Sequence, residues 1–541
     1  MESTSTASDS FPFSRRVALR AVTVTGALAA APSALAATRA AAATTGGASP
    51  APSSAASPLL WRQPEKLGAP PVDGLHLTFG EDPSREMSVS WSTVTPVSKP
   101  RVRYGTADDG YGREVEARTS TYIDAMSGRE VYAHHAHLSG LHPDTNYIYA
   151  AMAEGVLPDA GTFRTAPVGR VAFTFTSFGD QSVPTTSWVA GSGSYAAGVT
   201  GIASPAAGDI VGGIEQVRPL FHLLNGDLCY ANLTPDRVRT WNSFFANNTR
   251  SARYRPWMPA AGNHENEKGN GPIGYEAFQT RFALPTNGSS DWQGLWYAFT
   301  VGSVRVIVLQ NDDVAIQDGG DAYVSGYSGG EQRVWLEKQL RAARSSRQVD
   351  WIVVCMHQVM VSSSDANGAD LGIRRQWGPL FDRYEVDLVL CGHEHDYERS
   401  LAVRGIVSGS ETLTPNPVSA ATDEIDTSKG TVHMVLGAGG TGSPSNTKFF
   451  TDGTGKVLTA VGAVGANGKK TPTYVFEDAV WSAFRDLTHP YGFAAFDVDP
   501  GARPGDLTSI RVTYFTVGRP TGEITALESF VLTRPRSDGA R

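Results

Sequence analysis

From residue 171 onward the chain repeats one pattern: a short, nearly continuous apolar run, then a tight turn carrying Asp, Asn or His, then a more polar stretch. The runs fall at 171–176, 220–224, 304–309, 351–356 and 386–390. Strands of this composition are buried on both faces, so they belong to a sheet covered by helices. Residues 331–343 supply such a helix, with Val334, Leu336, Leu340 and Ala343 set against Glu331, Arg333, Glu337, Lys338 and Arg341. A second helix, containing Asp382, is expected over 376–384, and 432–436, 493–498 and 509–515 add strands to the same domain. The repeat commits this part of the chain to the α/β class.

Before it the texture differs. Residues 71–168 carry short alternating segments at 75–79, 87–93, 101–104, 132–138, 146–153 and 161–165, separated by turn residues, which reads as an all-β sandwich of roughly 100 residues. Leu141-His142-Pro143-Asp144-Thr145-Asn146-Tyr147 resembles the tyrosine corner of fibronectin type III domains, and Trp91 stands where such sandwiches keep a core aromatic. Alternation puts His135 and His137 on one strand face and His134 on the other, with no acidic or Cys partner nearby. They read as a polar face rather than a metal site.

Length and charge bound the rest. With 541 residues, 41% hydrophobic residues and a formal net charge of -8, the chain is a soluble globular protein of two or more domains, and its acidic balance argues against a nucleic-acid partner. At the N-terminus, Ser14-Arg15-Arg16-Val17-Ala18-Leu19-Arg20 precedes an apolar run over 21–31 and the small-residue pattern Ala34-Leu35-Ala36. This reads as a twin-arginine signal peptide over 1–36, too short for the roughly 20 residues a membrane span needs. Export by the Tat machinery and a secreted or extracytoplasmic location are expected, without stable membrane insertion. The Ala/Thr/Ser/Pro-rich stretch 37–70 reads as a flexible linker. Cys229, Cys355 and Cys391 each lie in or beside an apolar strand pattern, the setting of a small buried hydrophobe rather than of a thiolate ligand.

The chemistry sits at the turns. In order they read Phe178-Gly179-Asp180-Gln181, Asn225-Gly226-Asp227-Leu228-Cys229-Tyr230, Gly262-Asn263-His264-Glu265, Val354-Cys355-Met356-His357 and Gly392-His393-Glu394-His395. Open α/β sheets place their ligands at the carboxyl ends of strands. Asp180, Asp227, Tyr230, Asn263, His357, His393 and His395 are more donors than one transition metal takes, so two ions sharing a carboxylate fit the inventory. The glycine before Asp180, Asp227, Asn263 and His393 permits a tight turn with close backbone approach.

This succession of GD, GDxxY, GNHE, VxxH and GHxH resembles the purple acid phosphatases, within the calcineurin-like metallophosphoesterases. The β-module before the catalytic part is similar to that of plant-type members, so the resemblance covers roughly 71–535. It implies a fibronectin type III-like domain at 71–168, then a catalytic domain at 169–536 with mixed sheets flanked by helices in a four-layer αββα sandwich. It further implies that Asp180, Tyr230 and His395 bind Fe(III), that Asn263, His357 and His393 bind a divalent Zn, Mn or Fe ion, and that Asp227 bridges the two. The expected reaction is hydrolysis of small-molecule phosphate monoesters by attack of a metal-bound hydroxide. His264 is expected at the phosphate or leaving oxygen alongside Asn263, with Glu265 and Tyr397-Glu398-Arg399 as supports.

Two departures from the family stand out. Ser182 replaces the glycine that commonly closes the first motif. No histidine occurs between His357 and His393, where plant-type members keep a substrate-binding pair. Asp365, Asn367, Asp370, Arg374 and Arg375 occupy that stretch, and Arg374 is the candidate phosphate contact, with helix-start surface charge as its other reading. A phosphodiesterase on the same scaffold is the alternative function; a non-catalytic cell-surface binding protein and a purely structural metal domain are remote ones. The oligomeric state is not fixed by the sequence.

Overall fold

Phe221–Asn225 is buried at every position because it pairs in parallel with Phe173–Phe178 on one side and Trp257–Ala260 on the other. The computed structural model describes residues 71–183, 188–189, 194–195, 204–317, 322–466 and 469–539; the leader and linker expected over 1–36 and 37–70 lie outside them. The three parallel strands open a seven-stranded sheet that continues through Gly492–Asp499, Leu507–Val517, Ile524–Pro535 and Glu424–Asp426. A second seven-stranded sheet runs Tyr297–Val301, Val304–Val308, Trp351–Cys355, Leu388–Cys391, Val432–Leu436, Tyr397–Ser400 and Ser482–Arg485. Its strands from Val304–Val308 to Val432–Leu436 are parallel.

The two sheets face each other. Phe221 of the first lies edge-on to Phe299 of the second at 5.7 Å, and the Cys355 thiol donates to Asn225 Oδ1 at 3.1 Å. Ala206–Val217 packs on the outside of the first sheet and Glu331–Ser345 on the outside of the second, which completes the expected αββα layers. All three cysteines are buried, and none forms a disulfide among the described residues. Among the described residues no helix is long and apolar enough to cross a membrane.

Two details differ from expectation. Glu331–Ser345 buries Trp335, Leu336, Leu340 and Ala343, but Val334 is 70% exposed; the buried stripe runs through Gln332 and Trp335 instead. The helix expected over 376–384 spans Gly378–Arg383, and another short helix that was not expected, Leu371–Gln376, precedes it and meets it at Trp377. Pro379 in the first turn of the second helix has no N–H to continue the first.

The N-terminal part holds two four-stranded sheets, ordered Asp73–Phe79, Met87–Thr93, Glu130–Leu138, Arg118–Ile123 and Arg113–Glu116, Ser98–Gly105, Asn146–Glu154, Asp159–Arg164. The Tyr147 hydroxyl accepts the His142 N–H at 2.9 Å, closing the tyrosine corner, and Trp91 is buried. His134 is held between the Thr93 and Thr119 hydroxyls at 2.8 and 2.9 Å, while His135 reaches Ser90 Oγ and the Thr280 carbonyl at 2.8 and 2.9 Å. His135 therefore makes a polar contact with the second domain, whereas His134 is held within the N-terminal part. Phe79 packs edge-on to Phe221 at 5.7 Å, and the Tyr149 hydroxyl donates to the Arg253 carbonyl at 2.8 Å, so apolar and polar contacts alike join the two parts.

Candidate metal centre

Five strands end at one place. Asp180 follows Phe173–Phe178, Asp227 and Tyr230 follow Phe221–Asn225, and Asn263 follows Trp257–Ala260, all in the first sheet. His357 follows Trp351–Cys355, and His393 and His395 follow Leu388–Cys391, in the second. The seven expected donors meet where the carboxyl ends of both sheets face each other.

The backbone is strained where it delivers them. Asp180, Asp227, Tyr230 and His393 have φ of 58, 52, 56 and 71°, a region that non-glycine residues seldom occupy. Neighbours hold these turns in place: the Asp180 N–H reaches the Gly226 carbonyl and the Gln181 N–H the Asp227 carbonyl, each at 3.1 Å. The Glu265 carboxylate accepts the N–H groups of Gly262, Asp227 and Leu228 at 2.8, 2.9 and 2.8 Å. At Gly226, φ is 79° and a Cβ would come within 2.7 Å of the His357 ring; a Cβ on Gly262 would come within 2.3 Å of Asp227 Oδ1. Strain concentrated on four donors of one cluster is the kind that folds keep for function.

The donors form two groups. In one, the Tyr230 hydroxyl lies 3.0 Å from both Asp180 Oδ1 and His395 Nε2, and His395 Nε2 is 3.4 Å from Asp180 Oδ1. In the other, His357 Nε2 lies 3.0 Å from Asn263 Oδ1 and 3.2 Å from His393 Nδ1. Asp227 Oδ2 is 3.1 Å from His357 Nε2, and one ligand atom each from Asp227, His357 and His393 lies within 4.8 Å of the others. Every one of these residues except His395 is buried below a tenth of its surface, and the His395 side chain is 16% exposed.

Burial and mutual charge shift every titratable group of the cluster. Burial raises Asp180 above the usual carboxylate range despite His395 and His357. Burial would raise Asp227 as well, but His357 and His264 hold it well below. The Tyr230 phenol is pushed far up by burial, then by Asp180 and Asp227. Burial disfavours charge on His357 and His395, yet Asp227 lifts His357 to about 10 and Asp180 lifts His395 to about 8. His393 falls well below its usual value through burial, reinforced by His357. Neither carboxylate has a lysine or arginine ion-pair partner among the described residues. Two buried carboxylates with no cationic partner but imidazoles suit small multivalent cations, which would also displace the Tyr230 proton.

The imidazoles are aimed for it. His357 Nδ1 lies 2.7 Å from the Asn225 carbonyl and His395 Nδ1 2.7 Å from the Ser443 carbonyl. His393 Nε2 lies 2.6 Å from Gln317 Oε1. Each ring therefore donates its far N–H to an oxygen and turns its other nitrogen into the cluster. His264 stands beside this set: its backbone N–H donates to Asp227 Oδ1 at 2.9 Å, its Nδ1 contacts Asn232 Oδ1 at 3.0 Å, and its ring lies 4.6 Å from that of Tyr230. Its side chain is 24% exposed with Nε2 3.9 Å from Asp227 Oδ2.

Arg374 requires a correction. It is 2% exposed; its guanidinium bonds the Met360 and Thr412 carbonyls at 2.7 and 2.9 Å and both oxygens of Glu477 at 2.9 and 2.7 Å. All three nitrogens are committed to structure, so Arg374 is no phosphate contact, and Arg375 beside it is exposed. Of the expected supports, Glu398 accepts the Ser363 N–H at 2.9 Å and Tyr397 stacks on Tyr514 at 3.7 Å. Sequence reasoning missed Gln317 and Asn232. Neither lies in a residue pattern that would have marked it.

Two family descriptions match this chain: "Purple acid Phosphatase, N-terminal domain" over residues 72–165 and "Calcineurin-like phosphoesterase" over 205–397. "Uncharacterized protein Rv2577" of Mycobacterium tuberculosis is 57% identical over 90% of this chain and 91% of its own length. "Fe(3+)-Zn(2+) purple acid phosphatase 12" of Arabidopsis thaliana is 28% identical over 68% of this chain and 71% of its own. The solved structure of purple acid phosphatase PPD1 from yellow lupin (Lupinus luteus) seeds has the same fold, with a TM-score of 0.62 at 20% identity over 87% of this chain and 75% of that one. With both domains matched and the donor set converging as it does, the chain belongs to the purple acid phosphatase family of calcineurin-like metallophosphoesterases and is a phosphatase.

Proposed function

We propose that this phosphatase is an exported enzyme that hydrolyses small-molecule phosphate monoesters at a mixed Fe(III)–divalent centre. The observation that carries the reading is the division of six donors into two groups joined where the His393 N–H donates to Asp180 Oδ2 at 2.7 Å, with the seventh, Asp227, 3.1 Å from His357. Asp180, Tyr230 and His395 would hold the ferric ion, the phenolate being the hard anionic donor of the set. Asn263, His357 and His393 would hold the divalent ion, and Asp227 would bridge. The Fe–Zn name of the Arabidopsis relative supports this pairing. When bound, such a pair of ions supplies a nucleophile at neutral pH and neutralises charge on the phosphate.

The protein's own groups do the remainder. Asp227 is kept ionised by His357 and His264, ready to bridge without losing a proton. Burial keeps His264 below its usual pKa, and Asn232 fixes its Nδ1 side, so Nε2 faces the cluster. His264 would hydrogen-bond the phosphate or the departing oxygen there. Export rests on the Arg15-Arg16 leader, and replacing both arginines by lysine should strand the protein in the cytoplasm.

Metal analysis with a visible spectrum, followed by rates on a simple aryl monoester and the matching diester, tests the reading. Two ions per chain, a visible band and faster monoester turnover are expected. A colourless protein without iron sinks the metal assignment, and faster diester turnover replaces the monoesterase by a phosphodiesterase.

A further inference from the structure

We propose that Gln317 is a positioning residue that selects the metal-binding tautomer of His393, and that Asp370 holds Gln317 to that task; the inference rests on the divalent-site reading above. The three cluster histidines solve one problem in two ways. His357 and His395 lean on backbone carbonyls, of Asn225 and Ser443, which no side-chain substitution removes. His393 leans on a side chain, with Gln317 Oε1 2.6 Å from its Nε2. That contact accepts the Nε2–H and leaves Nδ1, 3.2 Å from His357 Nε2, as a lone pair facing the place His357 and Asp227 also face. Without an acceptor at Nε2, an imidazole can carry its proton on Nδ1 and turn an N–H toward that place.

Gln317 is held by the stretch that lacks the family's histidines. Asp370 is 1% exposed, and its Oδ2 accepts the N–H groups of Ile316 and Gln317 at 2.8 and 3.0 Å. Its other oxygen accepts those of Gly372 and Ile373 at 2.7 and 3.3 Å, capping helix Leu371–Gln376. One buried carboxylate thus ties the backbone under Gln317 to the start of a helix. From the same stretch, Asn367 Nδ2 donates to the His393 carbonyl at 2.8 Å, and the N–H groups of Asn367 and Gly368 bond the Glu394 carboxylate. The region between the fourth and fifth motifs therefore acts on His393 from two sides, ring and backbone.

The full chain should be purified with metal bound as wild type, Gln317→Leu and Gln317→Glu, then dialysed against a graded chelator while ions per chain and visible absorbance are followed. Removing an outer-shell partner costs about 10–100-fold in metal affinity. Gln317→Leu is expected to release one ion at a chelator concentration lower by about that factor, keeping the second ion and the absorbance. Gln317→Glu, which can only accept when ionised, is expected to hold both ions at least as well as wild type. Long-range proton–nitrogen correlation spectra of the stripped, histidine-labelled protein give a metal-free readout: His393 protonated at Nε2 in wild type and mixed in Gln317→Leu. Release of both variants' ions at the wild-type chelator concentration, or an unchanged tautomer in the leucine variant, overturns the proposal. Wild type holding fewer than two ions overturns the functional reading itself, independently of the tautomer.

Discussion

His357 Nε2 lies 3.1 Å from Asp227 Oδ2, which ties the seventh donor to the Asn263–His357–His393 group, while the His393 N–H donates to Asp180 Oδ2 at 2.7 Å and ties that group to the other. Asp227 also accepts the His264 N–H at 2.9 Å, so Asp227→Asn keeps the size and one acceptor while removing the charge. Outer-shell partners cost about 10–100-fold, and a bridging ligand must cost more. We expect kcat to fall by more than ~100-fold, with loss of at least one ion on metal analysis. A variant that keeps both ions and wild-type kcat contradicts the bridge.

Tyr230 separates colour from fold. Its phenol is held far above its usual pKa by burial and by Asp180 and Asp227, so a cation that binds it must displace a proton. Ferric uptake should weaken as pH falls, by up to about tenfold per pH unit for that one proton. Tyr230→Phe should lose the visible band and show a shallower pH dependence, measured by competition against a chelator. A band that survives the substitution assigns the colour elsewhere.

The convergence of the seven candidate donors was legible because each lies in the short loop that follows a strand. The supports were not. The carbonyls of Asn225 and Ser443 carry no residue-type signal, since any residue has one. Gln317 lies outside every recognised motif and is brought to His393 through Asp370, a contact across 53 positions. Arg113–Glu116 and Arg118–Ile123 were missed as strands because nearly all their residues are exposed or half-exposed, leaving no apolar alternation to detect. Arg374 and Arg375 were indistinguishable because a six-residue helix is too short for periodicity to say which of two neighbours faces inward.

Arg374 yields a stability prediction where the sequence suggested a substrate contact. Glu477 is bonded by Arg374 and by the Thr414 hydroxyl at 2.6 Å. Arg374→Met leaves that carboxylate buried without its cation, and breaking such a pair costs roughly 3–5 kcal/mol. Denaturant titration should show this loss while KM for a monoester stays at the wild-type value. Adding Glu477→Leu should recover part of the stability, since an apolar pair of similar volume tolerates burial. A raised KM with unchanged stability restores Arg374 to the substrate.

His76 makes the domain seam acid-sensitive. It is 4% exposed, stacks on Phe245 at 4.6 Å and donates from Nδ1 to the Gly74 carbonyl at 2.7 Å. Burial, with repulsion from His135, lowers its pKa to about 4 from the usual 6.5. Above pH 6.5 it is neutral folded or unfolded, so pH has no effect through this group. Between 6.5 and about 4 the unfolded chain takes up a proton that the folded one refuses, and stability falls as pH falls. The loss approaches roughly 3 kcal/mol at the bottom of that window, at about 1.4 kcal/mol per pH unit. His76→Phe keeps the stacking but cannot titrate, so its Tm should decline less than wild type between pH 6.5 and 4.5, although at pH 7.5 it melts no higher because the Gly74 carbonyl loses its donor. Parallel Tm curves for the two proteins would place the acid sensitivity elsewhere; converging ones locate it where the strand Asp73–Phe79 meets Phe245, apart from the candidate metal centre.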